Sequence, residues 1–520
     1  MEFKDEENPK EKGVDLEDYG ENNEILGEYD TELAVKCKNG IFVGQKDGEV
    51  ISYKGIPFAE PPIKELRFKP PVKKPDSDKV FQAFYLGKAC LQTVCDSEVA
   101  SQYEQGEDCL TLNIWRNISS TKDKKPVMVF IHGGAFGWGG TADPLYECTN
   151  LVKEYKDVIL VSINYRVNIL GFIYLAHLKG GNEYNKSGNL GMLDQICALE
   201  WVQENIEQFG GDPDNVTIFG ESAGACAVSI LPIMKGTKGL FNHVIAQSGS
   251  YQFTNSIENS KIVTEKFMEL AKAQTIEDLL KLSEEDKEIL PEFVDDYLIF
   301  PVRDGVILPI DLYNEYDRHD FTGMEFIFGT NKDEYRYWID EYEGIENYEI
   351  AILEMFKDFY SQFKERDKKN VNDYFRTLRN KEIWNITEFI NSFMFHIPAI
   401  AQAEKIIKRG GKVYMYYWKF PREKENFGAC HAVELSTVFN NLKNTIFTDG
   451  KLNENLSKNV LQMWINFATT GNPSNEKYIW SPYDLDERKT MIFDVDIHEE
   501  KDLLEERRRL LSSLAKYYLN

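Results

Sequence analysis

Basic residues are scarce in this chain. Lysine and arginine number 60 against 86 aspartates and glutamates, a formal net charge of −26. A field of that sign repels nucleic-acid phosphates and anionic lipid surfaces, so neither is expected as a partner. Long apolar runs are missing as well. No stretch approaches the roughly 18–20 residues needed to span a bilayer. The opening residues, Met1-Glu2-Phe3-Lys4-Asp5-Glu6-Glu7-Asn8, are charged where a signal peptide needs an apolar segment. The expectation is a cytoplasmic chain whose eight cysteines are reduced. No Cys-x-x-Cys or His-x-x-x-His pair occurs, so neither a metal site nor a cofactor is expected. No glycine-rich loop ends in Gly-Lys-Ser/Thr, which argues against a phosphate loop.

What is present is ordinary globular material. Across 520 residues, 42% are hydrophobic and 28% charged, enough to bury a sizeable core. Residues 1–30 carry twelve acids and three lysines and read as a solvated, flexible extension. Residues 31–520 read as one catalytic domain. A hairpin is expected from Leu33–Cys37 through the Asn39-Gly40 turn to Ile41–Gly44. Val127–Ile131 and Val158–Ile163 are short apolar runs rich in β-branched residues, the pattern of buried parallel strands. Pro144–Tyr155 can hold a short helix, Leu193–Phe209 an amphipathic helix, and Asn215–Phe219 another strand. Glu325–Gly329 and Lys412–Phe420 read as later strands. Helical blocks near 255–300 and 343–410 read as insertions. Strand, helix and strand in this rhythm predict an α/β fold with a large, mostly parallel central sheet.

Gly220-Glu221-Ser222-Ala223-Gly224 follows the strand Val216–Phe219 and runs into small residues that can start a helix. Strand, sharp turn and helix make a nucleophile elbow, which exposes Ser222 beside a helix N-terminus. About ninety residues earlier, Ile131-His132-Gly133-Gly134-Ala135-Phe136 follows another strand. A glycine-rich loop there can aim backbone N–H groups at an oxyanion, with the N–H of Ala223 completing the set. His132 itself reads as a packed loop histidine.

A serine needs a base and a group that orients the base. With the acid and base following the serine in the chain, His319, His396, His431 and His498 are the candidates. His319 lies in a polar stretch, His396 reads as a core or cap residue, and His498 is in a charged segment. His431, in Gly428-Ala429-Cys430-His431-Ala432 after the last long strand, is where such a sheet delivers its base. The acid should follow Glu325–Gly329, where Asp333 and Glu334 stand side by side, and spacing does not choose between them.

These motifs resemble the type-B carboxylesterase and cholinesterase family of the α/β-hydrolase fold, most closely the para-nitrobenzyl-esterase type. The resemblance spans about residues 32–500. It rests also on Tyr53-Lys54-Gly55-Ile56-Pro57-Phe58-Ala59, Glu107–Asn113, Gly188–Gln195, Phe209–Pro213, Gln247–Ser250 and Gly329–Glu334. It implies a Ser222, Glu334 and His431 triad, oxyanion donors at Gly134, Ala135 and Ala223, and buried ion pairs Arg67–Glu107 and Arg166–Asp194. Secreted members bridge the Cys90 and Cys109 positions; free thiols are expected here. Phe136, Trp138 and Glu221 are assigned to substrate binding, with the two aromatics walling an apolar pocket beside the oxyanion loop. The cholinesterase tryptophan that faces a quaternary ammonium has no counterpart: Leu91–Asp108 holds Tyr103 but no Trp. The expected function is hydrolysis of neutral carboxylic esters through an acyl-enzyme. Acyl transfer to another alcohol and a non-catalytic binding role on the same fold are the alternatives.

Overall fold

The computed structural model describes residues 20–92, 104–282, 299–342, 344–422, 424, 426–441 and 453–519. Residues 1–19 of the acidic extension, 283–298 of the first helical block, and Tyr103 lie outside them.

The apolar runs pair into one eleven-stranded sheet. Its strands are β1 (Gln45–Asp47), β2 (Val50–Pro57), β3 (Thr111–Asn117), β4 (Lys125–Ile131), β5 (Ile159–Ile163) and β6 (Gly211–Glu221). They continue with β7 (His243–Gln247), β8 (Glu325–Asn331), β9 (Lys412–Trp418), β10 (Lys489–Phe493) and β11 (His498–Lys501). The order across the sheet is β11-β10-β9-β8-β7-β6-β4-β5-β3-β2-β1. Every pair from β5 through β4 and β6 to β10 is parallel, and antiparallel pairs close both edges. All residues of β4 and β5 are buried, as their unbroken apolar runs require when helices cover both faces. The hairpin of Ala34–Cys37 and Gly40–Val43 forms a separate small sheet with Val80–Gln82.

One expectation needs correction. The helix expected to be amphipathic, α1 (Leu190–Asn205), is buried on almost every side, including Asp194, Gln195 and Asn205. Asp194 there pairs with Arg166, and the Asn205 side chain accepts from Lys38 N and donates to Trp201 O. The described part of the acidic extension is tied to the domain through Asn22 and Ile25. The Asn22 side chain donates to the carbonyls of Lys54 and Tyr85 and accepts from Phe84 N, and Ile25 N donates to Val80 O. One amide side chain thus fastens the segment from residue 20 onward.

Between the later strands lie α3 (Ile257–Leu270), and then α4 (Ile345–Gln362), α5 (Glu365–Phe375), α6 (Glu382–Asn391) and α7 (Ile397–Lys408). A π-helical turn, Ser392–His396, joins α6 to α7. The chain closes with α8 (Glu454–Thr470) and α9 (Glu505–Leu511). Among the described residues no helix is long and apolar enough to cross a membrane.

Candidate active site

Four strand ends converge. At the end of β6, Ser222 adopts φ 57° and ψ −120°, a strained conformation, and α2 (Ala223–Ile230) starts immediately after it. The turn is this sharp because its neighbours are small. A Cβ on Gly224 would lie 2.0 Å from Ile131 O, so α2 can press against the end of β4 only with glycine there. Ser222 N donates to Gln247 O at 2.9 Å, tying the elbow to β7.

After β4, His132 is buried, stacked on Tyr165 at 4.3 Å, and its carbonyl accepts from the Tyr165 hydroxyl. Burial pushes its pKa down to about 4, as befits a packed rather than a proton-carrying imidazole. The loop then lies directly on the elbow: a Cβ on Gly133 would be 3.2 Å from Ser222 Cβ. Gly134, Ala135 and Phe136 all have positive φ (100°, 50° and 59°), which turns successive N–H groups to one side. The Gln92 amide clamps the far end, accepting from Gly139 N at 2.7 Å and donating to Gly139 O at 2.9 Å. Among the described residues the N–H groups of Gly134, Ala135 and Ala223 meet no acceptor.

The two carboxylates after β8 part ways. Glu334 is fully buried, and its Oε2 lies 2.7 Å from His431 Nδ1 while Oε1 accepts from Asn331 N at 2.7 Å. Asp333 is also buried but turns away from His431; it accepts from Ala429 N and pairs with Arg336 at 3.2 Å. The other ring nitrogen of His431, Nε2, sits 3.0 Å from Glu221 Oε1. Among the described residues the Ser222 hydroxyl makes no hydrogen bond. Burial opposes charge on His431, but Glu221 and then Glu334 outweigh it and hold its pKa well above the usual imidazole value. Behind them, Glu434 accepts from Gln247 Nε2 and Asn331 Nδ2, and burial raises its pKa to about 7.

The structure separates the three residues assigned to substrate binding. Trp138 is half-buried, and Glu221 faces His431. Phe136 is wholly buried, edge-on to Phe172 and Phe300, so it supports the loop from behind and presents no open surface. The rings nearest His431 were not anticipated. Trp338 stacks on His431 at 5.3 Å, Phe395 lies at 5.0 Å and Tyr337 at 6.1 Å. Their one signal was position: Tyr337 and Trp338 follow Glu334 by about one turn in the short helix Glu334–Ile339. Of the other candidate histidines, His319 is beside Glu315, His498 is half-exposed at the surface, and His396 is buried.

Both ion pairs are present. Arg166 binds Asp194 through Nε and Nη2 at 2.8 and 2.7 Å, and Arg67 engages both Glu107 oxygens. Cys90 and Cys109 are free, buried and in contact, which raises the Cys109 pKa along with burial. Among the described residues no cluster of three or more His, Cys, Asp or Glu side chains could hold a metal ion.

The carboxylesterase family model matches residues 31–510. The chain belongs to the carboxylesterase family. It is 34% identical over 503 residues to the para-nitrobenzyl esterase of Bacillus subtilis, covering 92% of this chain and 99% of that one. It is 30% identical to the mouse carboxylesterase 1F, over 84% of each chain. Among solved structures, a Geobacillus stearothermophilus carboxylesterase superposes with a TM-score of 0.82 at 30% identity, over 92% of this chain and 100% of that one. A para-nitrobenzyl esterase superposes with a TM-score of 0.81 at 33% identity, over 92% and 99%. The fold is the α/β-hydrolase fold, and the protein is a carboxylic-ester hydrolase.

Proposed function

We propose that this carboxylesterase cleaves neutral carboxylic esters through a covalent acyl-enzyme, with Ser222 as nucleophile, His431 as base and Glu334 as the acid that orients it. The observation that carries the reading is the 2.7 Å contact between Glu334 Oε2 and His431 Nδ1, beside the strained turn that bears Ser222. Nδ1–H donates to Glu334, which leaves Nε2 free to take the Ser222 proton. Before substrate arrives Nε2 faces Glu221, and swinging onto the serine is the motion that arms the site. Ser222 Oγ attacks the carbonyl carbon, and the N–H groups of Gly134, Ala135 and Ala223 stabilise the resulting oxyanion. One such donor is typically worth about 10²–10³ in rate. His431 then protonates the leaving alcohol. In the second half it activates water, and the acid is released.

The small methyl of Ala135 and the ring of Trp138 bound the acyl side, and Trp338 and Phe395 wall the space over His431. This apolar lining suits small to medium neutral esters. The residues from 31 onward form one catalytic domain in this reading, with the helical blocks as its insertions. The decisive variant is Ser222→Ala. It should retain the fold and Tm while kcat for a nitrophenyl ester falls by at least about 10⁴. Retention of more than about a hundredth of the activity would rule out Ser222 as nucleophile.

A further inference from the structure

The π turn Ser392–His396 is an unusual element at an unusual place. Its wide loop is closed by Ile397 N donating to Ser392 O, five residues back. Residues five apart on an α-helix point about 140° apart. The wider π turn brings two such residues, Asn391 and His396, onto one face, where both grip the segment that carries Glu334. His396 Nε2 is 2.8 Å from Asn331 O. Asn391 Nδ2 donates to Lys332 O at 3.3 Å, and its Oδ1 accepts from Tyr335 N at 2.8 Å. The gripped segment is the hub of the site. Asn331 N donates to Glu334 Oε1, and Asn331 Nδ2 donates to Cys430 O, next to the base, at 2.8 Å.

The donor sense at His396 is fixed from the other side. Arg507 Nη1, from α9, lies 2.8 Å from His396 Nδ1. A guanidinium only donates, so Nδ1 must accept and the proton sits on Nε2, facing the Asn331 carbonyl. Arg507 is in turn anchored to Glu388 at 2.5 Å, and Tyr417 packs edge-on against the imidazole at 5.4 Å. Burial, reinforced by Arg507, pushes the His396 pKa down to about 3, so the ring stays a neutral donor.

We propose that this π turn is a positioning clamp for the acid of the triad, with His396 and Asn391 as positioning residues and Arg507 fixing the tautomer that lets His396 hold Asn331. The proposal rests on Glu334 being that acid. His396 touches neither substrate nor reacting atoms; it acts through the backbone on which Glu334 is mounted.

The test compares His396→Phe, which keeps a ring but loses the donor, with His396→Gln, whose amide can donate to Asn331 O and accept from Arg507. Asn391→Leu removes the other half of the grip and carries the test if His396→Phe does not fold. Kinetics use a nitrophenyl ester across pH, with Tm measured alongside. For His396→Phe and Asn391→Leu, kcat should fall about 10-fold at a KM changed by less than about 2-fold. The acid limb of the kcat/KM profile should also move to lower pH, because a loosened Glu334 stabilises imidazolium less. His396→Gln should recover activity to within about 3-fold of wild type. A loss of kcat and Tm with an unmoved pH limb, or no rescue by glutamine, would reduce the π turn to packing and overturn the clamp. Combining His396→Phe with Glu334→Gln separates the two claims. The His396 effect should vanish when Glu334 no longer acts. A full additive effect on top of a collapsed Glu334→Gln rate overturns the clamp while leaving the triad standing. An unimpaired Glu334→Gln enzyme overturns the triad reading, and the clamp with it.

Discussion

Glu334→Gln is an isosteric change whose consequence the surrounding hydrogen bonds dictate. Glu334 uses one oxygen to accept from Asn331 N at 2.7 Å and the other to meet His431 Nδ1 at 2.7 Å. Asn331 N can only donate, so the new amide must turn its oxygen to Asn331 and its NH₂ to His431. Nδ1 then becomes an acceptor, and the imidazole proton moves to Nε2, the nitrogen that should take the Ser222 proton. Two losses compound. Opposite unit charges about 4 Å apart at an effective dielectric of 20 interact by about 4 kcal/mol, or about 10³ in rate. The wrong tautomer deepens that, and a fall in kcat of about 10⁴ is expected. Because the substrate surface is untouched, KM should stay within about 3-fold. Steady-state hydrolysis of a nitrophenyl ester at pH 7–8 measures both. Asp333→Asn, one residue away, should cost less than about 3-fold, since Asp333 serves Ala429 N and Arg336 instead of the base. A Glu334→Gln loss below about 10-fold, or a larger loss at Asp333, would refute the assignment.

Three other outcomes are expected. Glu221 is the foremost of the groups raising the His431 pKa, so in Glu221→Gln the imidazolium is less favoured and the acid limb of kcat/KM should shift to lower pH; an upward or absent shift contradicts the assigned contact. The sign follows because the proposed mechanism requires neutral His431, so a raised pKa places the loss at a higher pH than for a free imidazole, near 6.5. Asp194→Asn leaves the buried Arg166 guanidinium without its carboxylate and should cost about 3–5 kcal/mol, seen as a lowered unfolding midpoint in urea; an unchanged midpoint would show the charge to be satisfied by other partners. An uncharged alkyl butyrate should be turned over faster than butyrylcholine, and the reverse kcat/KM ratio would reveal a cation site.

The sheet was readable because its central strands are short apolar runs rich in β-branched residues, and the elbow because its glycines are forced by contacts under 3 Å. His431 stood out as the candidate base from its place after the last long strand. The choice between Asp333 and Glu334 was not, since neighbouring residues on one turn differ only in which way the chain rotates after Asn331, and distant partners set that rotation. The rings around His431 escaped for a related reason. Phe395 reaches the site from the second helical block, and nothing within its own stretch says which strand end it will cover. Phe136 erred the other way, because adjacency to a reactive loop in sequence did not mean facing the same cavity.

The order of the strands also bears on how this enzyme comes into being. Ser222, Glu334 and His431 leave the sheet from β6, β8 and β9, and β7 must slot in parallel register between the first two. Each of those pairings closes a loop through a separate helical connection, the costly non-local step that slows folding of parallel sheets. Glu334 and His431 can meet once β8 and β9 pair, but Ser222 reaches them only after β6 and β7 have joined that pair. With Ser222 as the proposed nucleophile, a nascent or partly refolded chain is expected to hydrolyse no ester before β6 has docked, so the first turnover would mark the moment the sheet has closed ranks.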